Sequence, residues 1–143
     1  MEILIDSCFY LGLVHPKDQN SRRSDEILEE INLGKYGLIY TSNLVVQETI
    51  TLVGARTLGS KAALDNLWNL IWGKEKIAQI LTINQEIEKK SWELFTKVNT
   101  NIKTKNQIMS FVDVSSVILA NNNRMKKIIS FDRHFDKFLI RIY

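Results

Sequence analysis

The chain has little of the two residues that most often impose covalent or backbone constraints on a fold. Its 143 residues include one cysteine, Cys8, and one proline. A single cysteine excludes an internal disulfide framework and favours a reducing compartment. Because Cys8 lies in an apolar stretch, we interpret it as a small hydrophobic core residue. The fold is therefore expected to depend on an ordinary hydrophobic core.

The chain also lacks a hydrophobic run long enough to cross a bilayer. The N-terminal stretch ILIDSCFYLGLV is shorter than the about 20 apolar residues that a span needs, and Asp6 interrupts it. It has neither a basic leader nor a small-residue cleavage site, so we do not expect a signal peptide. The sequence predicts a cytoplasmic protein with no membrane partner.

A strong charge imbalance is missing as well. Lysine and arginine number 19 against 16 acidic residues, which gives a net charge of +3. Such a mildly basic chain is compatible with a nucleic-acid partner but does not demonstrate one. The basic residues are scattered, and each group alone is typical of a solvated helix face: Arg22 with Arg23, Lys89 with Lys90, Lys103 with Lys105, and Arg124 with Lys126 and Lys127.

Strand-like and helix-like segments alternate along the whole chain. Short apolar and β-branched runs predict strands at EILID, LIYTS, IAQILTI, KKIIS and FLIRIY. The segments between them have helical spacing, and one carries Trp68 and Trp72 in a stripe typical of a core or a partner interface. This alternation predicts an α/β fold with a mainly parallel sheet, in one domain over residues 1–143.

Four acidic residues are predicted at or near the ends of strands. Asp6 ends the first strand and Asp132 follows the fourth, whereas Glu48 and Asp113 lie near the starts of helices. In open α/β sheets the functional crevice lies beyond the carboxyl ends of the strands. We therefore expect these side chains to converge.

Each acid alone also has a structural explanation. Asp6 would suit a helix cap, and Asp113 three residues after Ser110 matches a capping box. Glu48 would suit a solvent-facing position, and Asp132 would suit the start of a turn or helix. The apolar neighbours of all four make this joint explanation the weaker one.

Convergent carboxylates impose an electrostatic condition. Two of them about 4 Å apart repel by roughly 4 kcal/mol at an effective dielectric near 20, so they need protons or a divalent cation. Oxygen ligands without histidine or thiolate suit Mg²⁺ or Mn²⁺ rather than Zn²⁺. Such an ion activates water for attack on phosphorus, which makes a phosphodiester the natural substrate.

Four segments in this order resemble the PIN-domain ribonucleases, and in particular the VapC-like toxins of type II toxin–antitoxin systems. The segments are ILIDSCFYL, TSNLVVQETITL, SFVDVSSVILA and IISFDRHFDKF, and the resemblance covers essentially the whole chain. It implies a three-layer α/β/α sandwich. It also implies a metal-dependent endoribonuclease that hydrolyses RNA with Mg²⁺ or Mn²⁺.

The resemblance also implies roles for individual residues. The four catalytic and metal-binding acids would be Asp6, Glu48, Asp113 and Asp132, with Asp136 as the alternative fourth acid. Ser7 and Ser130 match supporting hydroxyl positions, and Ser130 would hold a water or a phosphate oxygen. Arg133 and His134 are candidates for RNA contact, although an exposed turn explains them at least as well. The scattered basic residues would form a rim that attracts RNA.

The family further implies protein partners. Its toxins form homodimers and are inhibited by a cognate antitoxin in a groove near the active site. The helix with Trp68 and Trp72 is a candidate contact surface. Two alternatives remain open: a stand-alone RNA-processing nuclease, and a catalytically silent PIN-like module that binds RNA or protein. A phosphatase with Asp6 as nucleophile is set aside because position 8 is Cys8 and not an acid.

Overall fold

Five short strands form the centre of the molecule, and six α-helices cover them. The computed structural model describes residues 1–143. The strands are β1 (Glu2–Ile5), β2 (Leu38–Ser42), β3 (Gln79–Leu81), β4 (Lys127–Ile129) and β5 (Ile140–Ile142). The helices are α1 (Ser7–Val14), α2 (Ser21–Asn32), α3 (Asn43–Arg56), α4 (Lys61–Ile71), α5 (Gln85–Val98) and α6 (Phe111–Asn122), and two 3₁₀ turns cover Lys105–Gln107 and Arg133–Lys137.

All neighbouring strands run parallel, in the order β3-β2-β1-β4-β5. The central strand β1 pairs with β2 on one side and with β4 on the other, where Ile5 lies opposite Ile129. The residues that follow β1 and β4 therefore leave the same edge of the sheet side by side. This confirms the predicted α/β fold, and the sheet is entirely parallel where the sequence predicted a mainly parallel one.

Alternate residues of the strands build two separate cores. Ile3, Ile5 and Ile129 face one core, which is completed by α1 to α4. Leu4 and Ile128 face the other, which includes residues of α5 and α6. Both faces of a parallel sheet are buried in this way because helices cover each of them. The result is the expected three-layer sandwich.

Side-chain caps fix where four helices begin, and Ser60 supplies the cap of α4. The hydroxyls of Ser42 and Ser110 and the side-chain oxygen of Asn84 each accept a hydrogen bond from the backbone amide three residues later. Such caps satisfy amides that the helix itself leaves unpaired. Because α3 and α6 start at defined residues, Glu48 and Asp113 occupy defined turns.

Some strands are shorter than predicted, and only one of the two interpretations of the tryptophan stripe fits the structure. The third strand covers only Gln79–Leu81 of the predicted IAQILTI. It lies at the edge of the sheet, and the amide of Ile83 donates to the side chain of Asn43 at 2.7 Å. Trp68 and Trp72 are 57% and 48% exposed, so they do not belong to the core.

No helix has the combination of length and apolar character that crossing a membrane requires.

Candidate metal centre

Asp6 lies at the carboxyl end of the central strand and is only 3% exposed. It occupies the position before the first residue of α1, but its side chain caps no amide of that helix. Its Oδ2 atom instead accepts hydrogen bonds from Ser130 Oγ at 2.9 Å and from Cys8 Sγ at 3.1 Å. The capping explanation for Asp6 therefore does not describe this structure.

Glu48 reaches the same edge from the second turn of α3. Ser7 Oγ donates to Glu48 Oε2 at 2.8 Å, across 41 positions of sequence. This bond turns the half-buried carboxylate inward, so Glu48 is not a freely solvated helix residue. Ser7 thus orients an acid, which is consistent with the supporting role that the resemblance implies.

Asp113 completes the group from the first turn of α6 and is 8% exposed. Its backbone amide donates to Ser110 Oγ at 3.0 Å. Carboxylate oxygens of Asp6, Glu48 and Asp113 all lie within 4.8 Å of one another. Three acids from three segments of sequence therefore converge at the carboxyl edge of the sheet.

Burial and mutual repulsion raise the pKa of all three acids. Burial is the largest cause for each, and it raises the pKa of Asp113 from 3.8 to about 8, with further contributions from Asp6, Asp132 and Glu48. Burial also raises the pKa of the Cys8 thiol, so the sulfur keeps its proton near neutral pH. The site therefore favours a compensating positive charge.

Asp132 lies beside this group without being one of its three members. It raises the pKa of each of the three acids, which shows that its charge is close to them. Its Oδ1 atom accepts the backbone amide of His134 at 2.8 Å. Asp132 therefore begins a turn and also lies next to the three acids, so both expectations hold together.

Asp136, the alternative fourth acid, lies outside the group. Its Oδ1 atom is 2.9 Å from Nε of Arg141, and hydrogen bonding to this guanidinium lowers the pKa of Asp136. The guanidinium of Arg141 also lies over the ring of Tyr143, 3.8 Å from its centroid. Because Arg141 holds Asp136, the structure favours Asp132 as the acid next to the centre.

Ser130 differs from its expected role. It is fully buried, donates to Asp6 and accepts the amide of Asp132 at 3.0 Å. Its only hydroxyl proton is therefore used by a carboxylate, so the side chain does not also donate to a phosphate oxygen. The departure has a simple cause, because β4 ends next to β1 and places Ser130 directly beside Asp6.

His134 faces a neighbouring loop. Its Nε2 atom is 3.1 Å from the backbone carbonyl of Asn106, and since a carbonyl only accepts, Nε2 must donate. Its Nδ1 atom lies 2.8 Å from Asp132 Oδ1 without a well-directed hydrogen bond. Arg133 is exposed. The 3₁₀ turn thus links Asp132 to the loop between α5 and α6.

Cys8 is the residue whose position the sequence interpretation missed. It was assigned to the core as a small hydrophobic residue, but its thiol contacts Asp6 and accepts the amide of Phe131 at 3.1 Å. The available signal was its spacing, since the second residue after a strand-ending acid, at the start of a helix, lies close to that acid.

The donor set fits a hard divalent cation. It consists of carboxylate oxygens from Asp6, Glu48 and Asp113, with Asp132 nearby. No histidine belongs to the group, and the one thiol in contact with it is engaged as a hydrogen-bond donor to Asp6. Oxygen ligands of this kind suit Mg²⁺ or Mn²⁺ better than Zn²⁺.

Comparison with known families identifies the fold. The sequence model described as PIN domain matches residues 3–138. The chain belongs to the PIN domain family. It is also 25% identical over 135 residues to a VapC ribonuclease of Archaeoglobus fulgidus, covering 94% of this chain and 80% of that relative.

Solved structures resemble this PIN domain over nearly its whole length. VapC20 of Mycobacterium tuberculosis, a toxin that cleaves the sarcin-ricin loop, matches with a TM-score of 0.73 and 21% identity over 94% of this chain and 93% of that one. VapBC2 of Rickettsia felis, solved with a promoter DNA fragment, matches with a TM-score of 0.59 and 14% identity over 99% of this chain and 98% of that one. FitAcB of Neisseria gonorrhoeae matches with a TM-score of 0.64 and 15% identity over 99% of this chain and 96% of that one.

The different positions of Asp132 and Asp136 lead to a prediction about metal affinity. We expect Asp132→Asn to weaken Mn²⁺ binding by about 10- to 100-fold, because it removes a charge beside the three clustered acids. Asp136→Asn should leave the affinity unchanged, since its carboxylate is held by Arg141. Isothermal titration calorimetry of both variants measures the Mn²⁺ affinity. If both substitutions weaken binding equally, the choice of Asp132 over Asp136 as the fourth acid is wrong.

The raised pKa values lead to a prediction about stability. A carboxyl group whose pKa is higher in the folded protein stabilises the fold below its unfolded pKa and loses that contribution as the pH rises through the folded value. For Asp113 this window extends from 3.8 to about 8. With EDTA present, the melting temperature should therefore fall as the pH rises from 5 to 8, and Mg²⁺ should restore more of it at pH 8 than at pH 5.

The variant Asp113→Asn tests the cause of this pH dependence. It should melt at least about 4 °C above the unsubstituted protein at pH 8 in EDTA. The substitution removes a buried negative charge, and ionisation of that group lowers the free energy of unfolding by about 2 kcal/mol or more. Asp25→Asn, which removes an exposed acid on α2, is the matched control and should leave the pH dependence intact. Parallel pH profiles for all three proteins would show that Asp113 is not the source.

Proposed function

We propose that this PIN domain is an endoribonuclease that uses Mg²⁺ or Mn²⁺ to hydrolyse RNA, and that it acts as the toxin of a toxin–antitoxin pair. The observation that carries the proposal is the convergence of Asp6, Glu48 and Asp113 within 4.8 Å at the carboxyl edge of a parallel sheet. The VapC ribonuclease and the VapC20 toxin among its relatives support both the reaction and the biological role.

In this proposal the acids hold the ion and the surrounding polar groups hold the acids. Asp6, Glu48 and Asp113 would be the ligands, and Asp132 would complete the shell or orient the attacking water. When bound, the ion supplies a polarised water and neutralises charge that develops on the phosphate. Ser7 fixes the orientation of Glu48, and Ser130 fixes that of Asp6.

An acidic centre needs a basic surface nearby to attract RNA. The loop formed by residues 99–110 contains Lys103 and Lys105 and no acid. Asn99 closes its ends through two hydrogen bonds with the backbone of Met109, at 3.0 and 2.9 Å. Because His134 contacts Asn106 in this loop, the loop lies against the turn that carries Asp132, and both of its lysines are exposed. We propose that this loop, with Arg133, forms the basic rim.

The relatives support a protein partner as well. Antitoxin-bearing complexes such as VapBC2 support a cognate antitoxin here. An open groove of about 590 Å³ has an apolar lining that would suit a segment of such a partner. It is lined by Leu44, Leu52, Ala55 and Val112 together with the polar Gln47, Glu48 and Thr51. The exposed Trp68 and Trp72 offer a second contact surface. A homodimer stays a prediction from the family resemblance.

The nuclease activity is tested by incubation with RNA. The purified protein should cleave RNA with Mg²⁺ or Mn²⁺, and EDTA should abolish cleavage. Asp6→Asn and Asp113→Asn should each reduce the rate by at least about 100-fold, because each removes a ligand charge from the site. Asp25→Asn, on the exposed face of α2, is the charge-matched control and should cleave normally.

Two outcomes would contradict the nuclease assignment. Cleavage that persists in EDTA and in both ligand variants would mean that another protein or another mechanism is responsible. Metal binding without any cleavage of cellular RNA would favour the silent-module alternative. The toxin role is tested separately, by whether expression arrests growth in cells and whether both ligand variants relieve the arrest.

The basic rim gives a prediction about RNA affinity. The double variant K103Q/K105Q, made in an Asp113→Asn background to prevent cleavage, should bind single-stranded RNA more weakly. Its affinity should depend less on salt, with the logarithmic slope reduced by roughly 1.4, because two phosphate contacts are lost. Fluorescence anisotropy with a labelled RNA over a range of salt concentrations measures both effects.

The matched control lies at the amino ends of the strands, opposite the acidic cluster. K74Q/K76Q changes two exposed lysines with the same spacing, but these precede the amino end of β3. It should retain the affinity and the salt slope of the parent protein. If both double variants weaken binding equally, only net charge matters and the loop has no special role.

A further inference from the structure

One oxygen of Asp6 receives two side-chain hydrogen bonds, and the other receives no comparable bond. Cys8 Sγ and Ser130 Oγ both donate to Oδ2, at 3.1 and 2.9 Å. We propose that Cys8 is a positioning residue of the metal centre, whose thiol holds Oδ2 of Asp6 and leaves Oδ1 for the cation. The proposal rests on the proposed function, since it assigns Cys8 a task at that same site.

The two donors are themselves held by the turn that follows β4. The amide of Phe131 donates to Cys8 Sγ at 3.1 Å, and the amide of Asp132 donates to Ser130 Oγ at 3.0 Å. Each side chain thus accepts from a backbone amide and passes its own hydrogen to Asp6. Two parallel relays connect the turn to a single carboxylate oxygen.

The direction of each bond follows from the chemistry of the groups. A backbone amide only donates and a carboxylate only accepts, so the thiol and the hydroxyl between them must do both. A thiol is a weaker donor than a hydroxyl, but two bonds to one oxygen still restrict rotation of the carboxylate. Asp6 is therefore pre-oriented before any cation binds.

The second oxygen remains available. Oδ1 of Asp6 has Ser7 Oγ at 3.4 Å, but the hydroxyl of Ser7 has one hydrogen and is much closer to Glu48 Oε2, at 2.8 Å. No other side chain donates to Oδ1. Oδ2 of Asp6 is therefore held by two side-chain donors, whereas Oδ1 has only the long contact with Ser7.

The relays also tie together acids that lie far apart in sequence. Asp6 follows β1, whereas Asp132 lies in the turn whose amides hold Cys8 and Ser130. Movement of the turn would disturb both relays, so the spacing between these two acids is fixed through Asp6 Oδ2. Cys8 contributes to this geometry without being a ligand itself.

The single cysteine makes the proposal testable by infrared spectroscopy. Cys8 is the only thiol, so the protein has one S–H stretching band. In the metal-free protein this band should lie below the frequency of a free thiol, and Asp6→Asn should shift it, because an amide is a weaker acceptor than a carboxylate. An S–H band at the free-thiol frequency that does not move in the Asp6→Asn variant would overturn the proposal.

Metal affinity supplies the second readout. Cys8→Ala should weaken Mn²⁺ binding by about 10-fold, as expected when a group that orients a ligand is lost. Cys8→Ser keeps a donor and should recover most of the affinity. The matched control is Ser91→Ala, which removes a fully buried hydroxyl from α5 and should leave Mn²⁺ affinity unchanged.

These outcomes separate a positioning role from packing. If Cys8 only fills space, Cys8→Ala will lower the melting temperature but retain Mn²⁺ affinity, which would overturn the proposal. If Cys8→Ala does not fold, the infrared band of the unsubstituted protein and of Asp6→Asn still decides. Failure of the unsubstituted protein to bind Mn²⁺ or cleave RNA would overturn the proposed function instead, independently of the position of the S–H band.

Discussion

Repulsion among three carboxylates is the constraint on which the rest of the site depends. Asp6, Glu48 and Asp113 lie within 4.8 Å of one another, and two of them are almost fully buried. Like charges at this separation repel by several kcal/mol even in a polarisable protein interior. A fold that brings them together needs neighbouring hydrogen-bond donors and, when all three are ionised, a cation. The hydroxyls and the thiol around the acids meet the first need, and a divalent ion would meet the second.

The parallel sheet is what makes this arrangement possible. Every strand ends at the same edge, so residues distant in sequence become neighbours once β1, β2 and β4 pair. Ser130 and Asp6 are 124 positions apart and still form a 2.9 Å hydrogen bond. The helices that start at this edge bring Glu48 and Asp113 from the two opposite layers. The acidic cluster therefore lies where both cores meet, and neither half of the sandwich builds it alone.

Much of this was predictable because the decisive signals are local. Strand β2 agrees residue for residue with its predicted run, and Ser110 caps α6 as its spacing from Asp113 indicated. The strand-end acids were found by the same logic. What the sequence did not reveal depends on how the strands pair: β5 carries the guanidinium that binds Asp136, and the end of β4 brings Ser130 and Phe131 to Cys8. Spacing alone does not reveal such pairs, because they form only after the strands align.

Cys8 shows how one observation can reverse the interpretation of a residue type. In an apolar stretch a lone cysteine is usually a small core side chain. Here its sulfur lies between a backbone amide that only donates and a carboxylate that only accepts. An alanine would fill most of the same space but would leave the amide of Phe131 and one hydrogen-bonding site of Asp6 without a partner, and buried polar groups without partners are costly. The need for a group that both accepts and donates, more than the volume of the side chain, therefore accounts for a cysteine at this position.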